Sequence, residues 1–83
     1  MPIADIAPTN AHIVDYDRAQ GIVYLRLLDA EKEGATWEEA AKIILGIDPT
    51  REPERAKRAY DTHLARAKWM TKSGYKDLLR GPA

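Results

Sequence analysis

Two histidines, a single serine and a few neighbouring carboxylates are the residues of this 83-residue chain with catalytic chemistry, and their spacing argues against it. His12 and His63 lie far apart, neither has a histidine partner at helical i,i+4 spacing, and the absence of cysteine removes thiolate zinc sites. Ser73 precedes a glycine, where a hydroxyl serves helix capping before nucleophilic attack. The pairs Glu38-Glu39 and Glu31/Glu33 are neighbours on one chain, unlike a carboxylate dyad facing across a cleft. There is no glycine-rich phosphate loop. The expectation is a protein without catalytic residues, metal or cofactor.

Cations offer a different chemistry. Arg51, Arg55, Lys57 and Arg58 cluster where a long helix starts, and recognition helices contact base edges with their N-terminal residues. In a DNA-binding reading Arg51, Arg55, Arg58 and Thr62 meet bases, with phosphate contacts from Lys57 and Lys68. Against this, Glu52 and Glu54 interrupt the cluster, Glu38 and Glu39 protrude nearby, and Glu54 sits i,i+4 from Arg58 for a pair within the helix. Apolar residues outside the expected core point instead to a protein partner. Ile22 and Leu25 fall on the polar side of their helix with Arg26, either covered by the N-terminal segment or free for contact, and Trp69, Tyr75 and Leu79 form a second candidate set. For Trp69 the alternative role is a lid packed on the last helix.

These side chains need helices to position them. Pro2, Pro8 and Thr9-Asn10 mark residues 1–14 as an irregular arm, and 15–83 as the domain proper. A first helix is expected from Asp15 or Asp17 to about Glu33, with Gly34 as its left-handed stop and Tyr16, Ala19, Val23, Leu27 and Ala30 on its inner stripe. Thr36 and Glu39 form a capping box for a second helix that ends at Gly46, with Glu38 and Lys42 paired on its surface. After the extended turn "GIDPTREP", Pro53 opens a third helix that runs to Ser73-Gly74, with Ala56, Ala59, Tyr60, His63, Leu64, Ala67 and Met70 inward. A short fourth helix, "YKDLLRG", closes the chain. The fold class is all-α, a four-helix extended-turn variant of the helix-turn-helix with an irregular N-terminal arm.

Charge complicates the DNA reading. Residues 1–50 carry nine acids against four bases, and 51–83 nine bases against four acids, so a neutral chain is strongly dipolar. Nucleic-acid modules normally carry a basic excess, whereas a dipolar surface suits protein partners. No apolar run approaches the ~20 residues of a membrane span and no secretory leader is evident, so a cytoplasmic, monomeric protein is expected.

The stretches "AHIVDYDRAQGIVYLRLLDAE", "GATWEEAAKIILGIDPTREPERAKRAY" and "HLARAKWMTKSGYKDLLRG" resemble a family of small proteobacterial domains once known only as a domain of unknown function, typical of integrative and conjugative elements. The resemblance covers about residues 12–81. It implies an extended-turn helix-turn-helix, carried in activators behind another domain and binding promoter DNA through a basic face. The standalone members are QseM-like antiactivators in quorum-sensing control of conjugative transfer. For a chain without a preceding domain or net basic charge, the resemblance implies an antiactivator that binds a transcriptional activator and blocks it by competition. The alternative is a DNA-binding helix-turn-helix regulator.

Overall fold

A computed structural model describes residues 2–74. Four α-helices follow in order: α1 Asp15–Ala19, α2 Gly21–Lys32, α3 Trp37–Ala40 and α4 Pro53–Trp69. Wider π-helical turns prolong α3 over Ala41–Leu45 and α4 over Met70–Gly74. Among the described residues there is no strand, and no helix is long and apolar enough to cross a membrane. The expected short helix after Gly74 lies outside the described residues.

Local chemistry places the ends. Thr36 accepts a hydrogen bond from the Glu39 N–H at 3.2 Å while the Glu39 carboxylate reaches back to the Thr36 N–H at 3.5 Å, the reciprocal capping that starts α3. Gly34 (φ 83°) and Gly46 (φ 73°) take the left-handed conformation that stops α2 and the α3 extension, at positions where a side chain would be strained. In the extended turn the Asp48 carboxylate accepts from the Thr50 N–H at 2.9 Å, and Pro53 opens α4 where its missing N–H is not needed.

Leu27, Ala40, Ala41, Leu45, Ile47, Ala56, Ala59 and Leu64 make the core. The four alanines among them let α3 and α4 pack closely, and Ile47 buries the middle of the turn rather than leaving it as a free loop.

The expected single first helix is broken. Gln20 adopts φ −104°, ψ 17°, outside helical values, ahead of Gly21, a poor helix former. The break turns the stripe, so that Ala19 is exposed while Asp17, Gln20, Tyr24 and Leu27, spaced at helical intervals, are buried. Glu38–Lys42 and Glu54–Arg58 do not pair among the described residues, whereas Lys57–Asp61 does; at about 0.3–0.5 kcal/mol per exposed i,i+4 pair, the difference matters little to helix stability.

Nor does the arm cover Ile22 and Leu25, which are 75% and 62% exposed. It lies along α4, anchored by the Ala7 N–H on the Thr62 hydroxyl at 3.0 Å and by the buried side chains of Ala7 and Ile13. Ile3 packs against the core, and Ile6 remains 54% exposed.

Candidate nucleic-acid interface

Two polar clusters fix α4 relative to α1 and the arm, and both involve residues that composition would place at the surface. In the first, Arg66 is buried against Asp17, donating through Nε to Oδ1 at 3.0 Å and through Nη2 to Oδ2 at 2.7 Å. The guanidinium also donates to the arm carbonyls of Asn10 (2.6 Å) and His12 (2.8 Å), so four of its hydrogen bonds are accounted for. Tyr24 donates to Asp17 Oδ1 at 2.7 Å and the Val14 N–H to Oδ2 at 3.0 Å. Burial alone would raise the Asp17 carboxyl, but the hydrogen bonds from Arg66, Val14 and Tyr24 outweigh it and hold Asp17 below the usual carboxylate range. Tyr24 is pushed up, by burial and by donating to that carboxylate.

In the second, His63 is fully buried. Its Nδ1 lies 2.7 Å from the Ala59 carbonyl, which can only accept, so Nδ1 carries the proton and Nε2 accepts from the Tyr16 hydroxyl at 2.6 Å. Tyr16 in turn accepts the Ala4 N–H at 2.9 Å, which ties the start of the arm to α4 through the imidazole. Burial lowers the His63 pKa, partly offset by the bond to Ala59. The unfolded chain therefore takes up a proton near pH ~6.5 that the native site resists, and stability present above about pH 6.5 is lost as pH falls below it. We expect the urea midpoint of the parent to drop between about pH 7.5 and 5.5, and His63→Gln to flatten that drop. Equal pH dependence in both proteins would show that the imidazole charges freely in the native state.

On the outer face of α4 the cations divide into two groups. Arg55 is held by Asp5 at 2.7 Å and by Glu52 at 3.1 Å, Lys57 by Asp61 at 2.8 Å, and Lys68 by Glu31 at 2.9 Å. Lys57 also hangs over the rings of Trp37 and Tyr60, 5.6 and 5.9 Å from their centroids. The Thr62 hydroxyl is taken by the arm and by the Ala59 carbonyl. Arg51 and Arg58 are exposed and make no ion pair among the described residues. An open groove of ≈ 630 Å³ runs beside Arg58, lined by Trp37, Pro53, Lys57 and Thr62 together with the carboxylates Glu54 and Asp61.

This is a helix-turn-helix, with α3 leading through an ordered turn to an α4 that carries its uncommitted arginines at and just before its first turns. Residues 4–80 match a family described as the DNA-binding domain of the T6SS transcription factor RovC. The chain belongs to the RovC DNA-binding-domain family. That family is a transcription-factor family and not an enzyme family, and the match runs through the arm, α1 to α4 and beyond the described residues. No curated protein matches the chain.

Of the side chains the sequence singled out, the RovC-type domain brings Arg51, Arg55, Lys57 and Arg58 together around the start of α4, with Thr62 and Lys68 further along it. Ile22, Leu25 and Arg26 are exposed on α2. Trp69 is half-buried with the Arg66 guanidinium stacked 3.9 Å from its ring centroid, which gives it a role in supporting the buried pair. Tyr75 and Leu79 lie outside the described residues. Sequence reasoning missed Asp17 and Arg66 as buried partners and Ile43 as an exposed apolar residue. Arg66 could have been found: it lies on the same helical stripe as Ala59, His63 and Met70, a place where a solvated arginine does not belong.

Proposed function

We propose that this chain binds duplex DNA as a module of transcription control, with the first turns of α4 toward the major groove. The family match over residues 4–80 carries this reading, and the free arginines at the start of α4 support it. Arg51 and Arg58 make the first contacts. Arg55, Lys57 and Lys68 follow by exchanging their carboxylate partners for phosphates, a small cost because exposed ion pairs contribute about 0–1 kcal/mol.

With two to five phosphate contacts, affinity for duplex DNA should fall roughly tenfold to five-hundredfold between about 50 and 200 mM salt, and Arg51→Ala should flatten the salt slope by about one contact. Fluorescence anisotropy across a salt series measures both. No binding at about 50 mM salt would remove the DNA reading.

A second reading has its own support. A formally neutral chain whose α4 cations are largely paired, and which exposes Ile22 and Leu25, suits an antiactivator that occupies a transcriptional activator in place of the activator's own contacts. Stable co-purification with one activator, together with inert behaviour toward DNA, would favour it.

A further inference from the structure

Between α2 and the α3 extension lies an open groove of ≈ 270 Å³ that shares no residue with the α4 cations. Its floor is made of small and apolar residues, Ala30, Ala35, Ala40 and Ile44, so a partner's backbone can come close. Ile43 stands on one lip, 68% exposed. On the other lip Arg26 follows one turn after the exposed Ile22. Asp29, Glu33 and Glu39 surround the opening, three acids against the single base Arg26. The volume is below the roughly 300–1,000 Å³ of small-molecule pockets and suits a few side chains from a helix. Burying Ile22 and Ile43 would supply the binding energy, and the acidic surround selects the sign of the partner's flanks.

We propose that this groove docks a basic amphipathic helix of another protein, one that places aliphatic side chains between Ile22 and Ile43 and sets lysines or arginines against Asp29, Glu33 and Glu39. The inference does not rest on DNA binding by α4, whose cations occupy a separate surface; it shares the exposed Ile22 with the antiactivator reading and adds the groove and the sign of the partner's charge to it.

The probe is a synthetic helical peptide with leucine along one stripe and lysine elsewhere, titrated into the ¹⁵N-labelled full chain, beside a counterpart with glutamate in place of every lysine. Saturable shifts centred on Ala30, Ala40, Ile43 and Ile44, at least about tenfold weaker binding of the glutamate peptide, and a comparable loss in Ile43→Lys would support the proposal. Ile43 is exposed, so that variant keeps its fold, checked by its circular dichroism. Absence of saturable shifts, equal affinity for the two peptides, or shifts centred on α4 would each overturn it. So would shifts at the groove that move with protein concentration alone, because the occupant would then be a second copy of the chain.

Discussion

Arg66→Ala is expected to destabilise the domain by about 3–5 kcal/mol, because it leaves the Asp17 carboxylate buried without its counter-charge. The total stability of a chain this size is about 4–12 kcal/mol, so the variant sits near the edge of folding. Part of the loss comes from the arm, since the Asn10 and His12 carbonyls lose their shared donor as well. Urea unfolding followed by circular dichroism gives the magnitude. Arg66→Lys should lose less but still substantially, because an ammonium cannot bond both Asp17 oxygens and both carbonyls in one plane. A double variant, Arg66→Met with Asp17→Leu, should be more stable than Arg66→Ala alone, since it removes the stranded charge. A loss below about 1 kcal/mol for Arg66→Ala would mean that water solvates Asp17 in the native state.

The second large effect belongs to Leu27, which has no exposed surface and sits where α2 meets α3 and α4. Leu27→Ala should cost about 2–5 kcal/mol, the transfer term for the lost methyl groups plus the cavity left behind. The neighbouring core positions are mostly alanines, which have no long side chains to swing into the gap, so the upper half of that range is expected. Thermal unfolding checks it; a cost near 1 kcal/mol would indicate that α2 shifts inward to refill the space. Because α2 supports α4 from behind, any DNA affinity should weaken in the surviving folded fraction as the helix loses its fixed direction.

Much of this architecture was legible because it rests on short-range rules. The Thr36–Glu39 cap, the left-handed Gly34 and Gly46, and Pro53 at the start of α4 each follow from residues within a few positions of one another. The core side of α4 followed from helical spacing alone. What could not be read is the pairing of Asp17 with Arg66, 49 positions apart: each residue by itself looks like surface, and only the close approach of α1 and α4 makes burial tolerable. The break at Gln20 displaces the stripe on which Asp17 lies, and the periodicity of an unbroken helix selects Ala19 in its place. At the candidate interface the cations were legible and their partners were not. Asp5 reaches Arg55 across 50 positions, through an arm whose path no periodicity describes.

That arm also shapes how the protein reaches its native state. Its anchoring contacts link residues 55, 54 and 56 positions apart, and the Tyr16–His63 bond spans 47, so the arm must reach the second half of α4 before any of them forms. Small helical domains fold fast because most of their contacts are local; here the arm's contacts close loops of 47 to 56 residues in a chain of 83, and that closure entropy opposes its docking. The helix-turn-helix centre can assemble early, with the strap of residues 2–14 settling last and slowing completion.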